Sequence, residues 1–333
     1  MRLLVTGAGG YLGGRLVRHL VERADCEVVA GTRRHHPWLE PAEQLRVAPE
    51  AAVEELVPTM SRAEAVVHLA APSAEAMRAE PDASFGLAVA GARHLALACR
   101  AAGVGRLVYV STAHVYGTAM LPGATLTESV APEPRDHYAL ARLASEHAAA
   151  AATGGEVELV VLRLANCVGA PLDPSISQWT LVANDLCRQA ATTGCLRLLT
   201  HGLQWRDFLA IDDACRAIEA AAGLCGEGAA ALPPGLYNCG SGVPRTVRGL
   251  AGLVQDAWER ATGERPPLEA PERPAAPPLP WRLSTERLGA RGFTPSTTLE
   301  EALDETVAAC LDAWGDAPAA PPARRAGHPS GKT

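Results

Sequence analysis

The side chains of Thr112, Tyr138 and Arg142 are spaced for work on a carbonyl group. Ser111 and Thr112 close the apolar run Arg106-Leu107-Val108-Tyr109-Val110, and Tyr138 precedes Arg142 by four residues. Residues four apart share one face of a helix. A helix opening with Tyr138-Ala139-Leu140-Ala141-Arg142 and running through Glu146 to Ala152 therefore sets a phenol beside a guanidinium. A cation at that distance favours the phenolate form, so the phenol can exchange a proton with a substrate oxygen. The Thr112 hydroxyl, at the end of a strand, can hydrogen-bond the same oxygen. His114 could bind substrate or act as an auxiliary acid, and a partly buried spacer is the plainer reading of it.

A second constellation handles phosphate. Thr6-Gly7-Ala8-Gly9-Gly10-Tyr11-Leu12-Gly13 follows the apolar run Leu3-Leu4-Val5 and precedes Leu12, Leu16, Val17, Leu20 and Val21, which recur at helical spacing. The glycines thus fall in a strand-to-helix turn, where a nucleotide pyrophosphate can lie on free backbone N–H groups. Gly7 permits the sharp turn, Gly10 keeps a Cβ out of the pyrophosphate's path, and Gly13 lets the helix pack close. The spacing is GxxGxxG, not GxGxxG. The next strand, Glu27 to Thr32, ends where an acid would hold an adenosine ribose 2′-OH. Thr32-Arg33-Arg34 stands there instead. Positive charge suits a 2′-phosphate, hence NADP(H), with NAD(H) the alternative if the arginines are merely exposed.

The elements that must position these residues alternate. Gln44 to Val47 reads as a weak third strand and Ala51 to Met60 as a helix. Ala65 to Ala71 reads as a fourth strand, with Leu69, Ala70 and Ala71 small enough at its end for a cofactor to approach, and His68 a packed structural histidine. Ser84 to Ala102 is helical and stops at Gly103, and Arg106 to Ser111 is a fifth strand. Strand and helix in alternation predict an α/β fold, a Rossmann-type doubly wound parallel sheet with a smaller, discontinuous substrate-binding domain. The expected division is 1–165 for the NAD(P)-binding part, with a returning segment near 203–245 that includes a strand at Leu236 to Cys239. Residues 166–202 and 246–314 form the substrate part, with helices at Trp179 to Ala191, Ala214 to Ala222 and Leu299 to Trp314. Pro266 to Pro280 is an extended, Pro-rich loop on the substrate side, and 315–333 an Ala/Pro/Gly tail expected to be disordered.

Composition narrows the class. The chain has 333 residues, 48% of them hydrophobic, and a net charge of −7. Acidic balance without a basic block before the tail argues against nucleic acid as a partner. No apolar run reaches the ~18 residues of a membrane span, and no signal peptide is expected ahead of the first strand. Nine cysteines are scattered singly with no CxxC, so no metal site and no disulfide framework is expected, and a reducing cytoplasm is the expected setting. Lys332 is the single lysine among 30 basic residues.

The motifs, taken together, resemble those of the extended short-chain dehydrogenases/reductases, in the branch of NAD(P)-dependent nucleotide-sugar epimerases, dehydratases and 4-ketoreductases. They are TGAGGYLG from Thr6, VVHLAA from Val66, STAHVYG from Ser111, YALAR from Tyr138, LRLANCVGAP from Leu162, WRDFLAIDDA from Trp205 and LYNCGSG from Leu236, in the family's order over roughly residues 1–305. The resemblance implies that Gly7, Gly10, Tyr11, Leu12, Gly13, Leu69, Ala70 and Ala71 line the cofactor, with Arg33 and Arg34 on a 2′-phosphate. It implies that Thr112 and Tyr138 act on the substrate oxygen while Tyr138 and Arg142 also meet the cofactor. Asn166 and His114 would contact a nucleotide-sugar substrate. Arg206 would grip its diphosphate, unless it simply pairs with Asp207. Arg273 would add a second phosphate contact, with a plain loop residue the alternative. If the chain assembles, a homodimer is the form implied.

Two departures fall on the proton relay. Arg142 stands where the family has lysine, and Ala88 aligns with the family's asparagine in the helix before the fifth strand. Arg142 supplies charge but cannot release a proton; with one lysine in the chain, drift in composition also explains it. The family's 4,6-dehydratases carry an Asp-Glu pair after the threonine, and Ala113-His114 lacks it, which disfavours water elimination. The leading expectation is an NADPH-dependent ketoreductase of a nucleotide-linked keto-deoxysugar. A 4-epimerase with tightly held NAD and a cofactor-binding regulatory protein with a decayed site are the alternatives.

Overall fold

The computed structural model describes residues 1–23, 25–48, 50–224, 231–272 and 278–315. In chain order the elements are β1 (Arg2–Thr6), α1 (Tyr11–Val21), β2 (Glu27–Thr32), β3 (Glu43–Arg46), α2 (Val53–Leu56), β4 (Ala65–His68), α3 (Ala74–Ala79), α4 (Pro81–Ala102), β5 (Arg106–Thr112), β6 (Thr125–Leu126), α5 (His137–Thr153), β7 (Glu158–Leu164) and β8 (Asn166–Val168). The chain continues through α6 (Val182–Thr193), β9 (Leu196–Arg197), β10 (Trp205–Ala210), α7 (Ile211–Ala222), β11 (Gly235–Cys239), β12 (Pro244–Thr246), α8 (Val247–Thr262), β13 (Leu268–Glu269), β14 (Arg282–Leu283), α9 (Glu286–Gly289) and α10 (Leu299–Trp314).

Seven strands form one sheet in the order β11-β7-β5-β4-β1-β2-β3, and every pairing in it is parallel. A parallel sheet covered on both faces needs apolar residues pointing both ways. The strands meet that need by alternation. Leu3 and Val5 of β1, Val108 and Val110 of β5, and Val160 and Leu162 of β7 face one core, against Leu16, Leu20, Ala217 and Ile218 of α1 and α7. Leu4, Val66 and Leu107 face the other, against Leu95, Ala96, Cys99 and Ala149 of α4 and α5. Each large aliphatic side chain so buried contributes roughly 1.5–3 kcal/mol. The order reverses between β1 and β4, and this switch point is where a doubly wound sheet opens a crevice at the strands' carboxyl ends. Thr6 and His68 are partners across it.

Beyond β7 the chain builds a smaller body. β12, β10 and β8 make a three-stranded sheet, and α6, α8 and α10 enclose a separate core of Leu186, Leu250, Val254, Leu303 and Val307. Helix α10 starts with a capping box in which Thr298 and Glu301 exchange backbone hydrogen bonds. Where an unbroken helix was expected at Ala51 to Met60, α2 gives way to a 3-10 turn at Val57–Met60 that carries Pro58, which cannot donate the next helical hydrogen bond. The helix expected from Trp179 likewise begins as a 3-10 turn, Ser177–Thr180, before α6. Gly103 closes α4 in the left-handed region, φ 73°. No helix among the described residues is long and apolar enough to cross a membrane.

Candidate active site

The glycine turn is built around contacts that no side chain could share. Gly7 has φ +74°, and a Cβ there would stand 2.6 Å from the Ala70 nitrogen and 2.9 Å from the carbonyl carbon of Leu69. The segment Leu69-Ala70 that follows β4 thus lies directly on the turn, with Ala71 next in the chain. A Cβ on Gly13 would strike the Gly7 carbonyl oxygen and lie 2.8 Å from the Ala8 Cα. Gly10 is the N-cap of α1 in extended conformation, and its missing Cβ would meet only the Gly7 oxygen at 3.2 Å. No side chain caps the N–H groups of the first helical turn there. Tyr11 points its ring away into a cluster with Ile176 and Ile211, its hydroxyl donating to the Gly169 carbonyl at 2.9 Å. Tyr11 therefore offers a ligand its backbone only, and Leu12 is packed against the same cluster.

Arg33 and Arg34 are exposed at the end of β2, and neither has a carboxylate partner among the described residues. Thr6, Val47, Ala70, Ala71, Pro72 and Leu87 line a small, mostly apolar pocket, and the Val47 nitrogen donates to the Thr32 carbonyl at the end of β2.

Thr112 ends β5 with its hydroxyl accepting from the His114 nitrogen at 3.2 Å. Asp136 caps α5, accepting from the Ala139 nitrogen at 2.8 Å, and so fixes where the helix begins. Tyr138 and Arg142 then lie on one face, the guanidinium carbon 5.9 Å from the Tyr138 ring centre. It is also 5.5 Å from the ring centre of Tyr109, a neighbour whose role was not apparent in the sequence. Arg142 is buried; its Nη2 donates to the Val110 carbonyl, and its Nε has no partner among the described residues. An unpaired donor buried at the crevice, a phosphate cradle without a Cβ and two free arginines fit a nicotinamide dinucleotide. Such a group carries a pyrophosphate between its two riboses, ribose hydroxyls that accept hydrogen bonds and, in the NADP(H) form, a 2′-phosphate on the adenosine side.

Ala88 is buried with Met77 and Ala141, and Tyr138 packs against this cluster. No side chain of Ala88 can pass a proton, so that flank of the phenol is apolar. His68 is a packed histidine, sharing a 2.7 Å hydrogen bond with the Thr6 hydroxyl. Burial, with the Arg142 charge added, pushes it down to about 3, so it is neutral in ordinary buffers.

His114, Asn166 and Arg206 come together from the 3-10 turn Ala113–Ala119, β8 and β10. His114 Nε2 lies 3.3 Å from the Asn166 Oδ1, while the Asn166 amide donates to the Asp207 carbonyl at 3.0 Å. That second bond orients the amide, so Nε2 of His114 carries the proton. Burial lowers the His114 pKa and the nearby Arg206 charge adds to this, which argues for a neutral hydrogen-bonding histidine rather than an acid. Asn166 of β8 and Phe208 of β10 are register partners, which brings Arg206 to the same edge.

Arg206 does not pair with Asp207. Strand alternation turns Asp207 inward, where it accepts from the nitrogens of Ser241 and Gly242 at 2.7 and 2.8 Å. Burial raises Asp207 to about 6 against those hydrogen bonds. Arg206 keeps one backbone bond, to the Trp205 carbonyl at 2.9 Å, and no carboxylate partner among the described residues. A half-buried guanidinium without an acid is a site for an anion. Arg273 and residues 316–333 lie outside the described residues.

Behind Thr112, Glu146 was also missed. It joins Ser111 of β5 to Arg163 of β7, and Arg163 reaches it at 2.7 Å with both side chains buried. Helical spacing put Glu146 one turn past Arg142, but nothing in the sequence named its partner on another strand.

Residues 3–240 match the family model of the NAD dependent epimerase/dehydratase family. The chain is similar to a 2-alkyl-3-oxoalkanoate reductase of Stenotrophomonas maltophilia, 31% identical over 76% of this chain and 74% of the relative. It is similar also to a dTDP-6-deoxy-L-talose 4-dehydrogenase (NAD(P)(+)) of Kitasatospora kifunensis, 33% identical over 60% of this chain and 61% of that one. Among solved structures, UDP-glucose 4-epimerase of Thermus thermophilus in complex with NAD superposes with a TM-score of 0.75 at 26% identity, covering 94% of this chain and 100% of the other.

Proposed function

Because the chain belongs to the NAD dependent epimerase/dehydratase family, we propose that it is an NADPH-dependent ketoreductase acting on a keto group of a nucleotide-linked deoxysugar. One observation carries the choice of reductase: Arg33 and Arg34 stand unpaired, among the described residues, at the position where an acid would select NAD(H). A reductase consumes NADPH, whereas an epimerase returns its hydride to the substrate and has no use for a 2′-phosphate handle. Two relatives named for reduction or dehydrogenation of a carbon centre agree with this reading.

Bound at the crevice, the dinucleotide would supply hydride to the carbonyl carbon. The chain's own residues do the rest. Thr112 donates a hydrogen bond to the carbonyl oxygen and polarises it. Tyr138 delivers its phenolic proton to that oxygen as the C=O becomes CH–OH. Arg142 offsets the phenolate charge left behind, and its Nε is a buried donor with no partner among the described residues. Since a guanidinium does not give up its proton, Tyr138 must be reprotonated by water or solvent-linked hydroxyls. Asn166, His114 and Arg206 hold the substrate, Arg206 through its diphosphate.

The test is turnover of purified protein with a panel of 4-keto-sugar nucleotides and a 2-alkyl-3-oxoalkanoate, each with NADPH or NADH. Oxidation of NADPH by a keto-sugar nucleotide is the expected result. Interconversion of sugar epimers with no net oxidation, by protein that carries NAD through purification, would establish the epimerase instead. Reduction of the oxoalkanoate alone would keep the reductase and overturn the sugar. Cofactor binding without turnover on any of them would favour a regulatory protein, for which Ala88 and Arg142 are the residues that speak.

A further inference from the structure

We propose that His36 is a third ligand of the cofactor's 2′-phosphate, completing with Arg33 and Arg34 a phosphate-reading loop after β2. The inference rests on the NADPH reading above. His36 is the one member of the Arg33-Arg34-His35-His36 run that is buried. Its ring lies on the glycine turn: a Cβ on Gly9 would run into the ring, with Nε2 the nearest atom. Gly9 belongs to the limb of the turn that leans on β2, because the neighbouring Ala8 nitrogen donates to the Gly31 carbonyl at 3.2 Å. In a fold of this kind the ribose 2′ position would fall on this side, and the pyrophosphate on the α1 side. The Nε2 edge of His36 therefore meets the turn at Gly9, and its loop is the one that carries the two free arginines.

The loop is held in place without spending the imidazole. Gln44 of β3 clamps the His36 backbone from both sides, accepting from its nitrogen at 2.8 Å and donating to its carbonyl at 2.9 Å. Gln44 also reaches His35 Nε2 at 3.2 Å. Trp38 supports the ring face, 4.3 Å between centres. Neither ring nitrogen of His36 has a hydrogen-bond partner among the described residues, and the Trp38 indole nitrogen is a buried donor without one. A positioned imidazole with its polar edge unspent, next to two unpaired guanidiniums, matches a phosphate monoester, which offers three acceptor oxygens.

The experiment compares adenosine 2′,5′-bisphosphate with 5′-AMP, which differ only in the 2′-phosphate, as ligands of wild type, Arg33→Ala and His36→Asn. Dissociation constants come from displacement of a fluorescent nucleotide, with no turnover required. Wild type should prefer the bisphosphate, and His36→Asn should cut that preference on the order of tenfold, as for one hydrogen bond to a charged group. Its affinity for 5′-AMP should match wild type, which also reports an intact fold. A full preference in His36→Asn, with Arg33→Ala impaired, overturns the role of His36 and leaves the NADPH reading standing. Equal losses for both ligands would show that His36 serves the turn and not the 2′-phosphate, and overturn it too. A wild type indifferent to the 2′-phosphate would overturn the NADPH reading itself.

Discussion

Arg142 reaches from α5 to the carbonyl oxygen of Val110 on β5, two residues before Thr112. The helix that carries Tyr138 is thereby fastened to the strand that ends in Thr112. A lysine there would offer a compact ammonium in place of the planar five-donor fork of the guanidinium.

Substitution at this pair gives the first prediction. Tyr138→Phe should lose roughly 10²–10⁴-fold in kcat, the worth of general acid catalysis. Arg142→Lys keeps the charge and restores a group that can release a proton, so kcat should stay within about tenfold of wild type. Arg142→Met removes the hydrogen bond to the Val110 carbonyl and should lower unfolding free energy by about 1–3 kcal/mol as well as activity. Pre-steady-state reduction and urea titrations measure the two effects. Full activity in Tyr138→Phe would move the proton source to a water or to His114.

Arg206→Ala should raise KM for a nucleotide sugar roughly 10- to 100-fold, the loss expected for a hydrogen bond to a charged group. Cofactor affinity should hold, since Arg206 lies on β10 beside Asn166 and not on the glycine turn. Loss of cofactor binding in a titration of this variant would refute the placement.

Arg33→Ala should weaken NADPH on the order of tenfold and leave NADH nearly unchanged, because the exposed guanidinium has only a 2′-phosphate to recognise. Isothermal titration with both dinucleotides decides it, and parallel losses would count against a phosphate role.

His68 supplies a pH test. Its folded-state pKa is depressed to about 3, against 6.5 for the free side chain. The unfolded chain therefore binds a proton that the folded chain refuses, so stability is lost as pH falls from about 6.5 toward 3. The limiting slope is about 1.4 kcal/mol per pH unit. His68→Asn, which retains a partner for Thr6, should be flatter over that range. Denaturant midpoints at pH 5 and 7 that shift equally in both proteins would show that His68 is not the group responsible.

Much of the chemistry was legible because it is local. Tyr138 and Arg142 share a helix face by spacing alone, and Gly7 and Gly13 announce their crowding by type. What spacing could not give is which strand a buried polar group answers to. Glu146 meets Ser111 and Arg163 only because β5 and β7 are neighbours in the sheet. Arg206 and Asp207 are adjacent in sequence, which suggested an ion pair. The pleat sends them to opposite faces, and Asp207 spends its carboxylate on the loop at Ser241 and Gly242. His36 was hidden for a similar reason: it follows two arginines that drew the eye, and its value comes from Gly9, a residue of another loop.

The Tyr11 hydroxyl on the Gly169 carbonyl closes a span of 158 residues. It runs from the turn where a dinucleotide would lie to the end of the short strand that begins with Asn166. The first helix is thus joined to the segment that carries Asn166. If a dinucleotide and a substrate occupy those two places, whatever factor one's occupancy imposes on the other's affinity, the second must impose on the first. That equilibrium factor can be measured from either end, by titrating each ligand in the presence of the other.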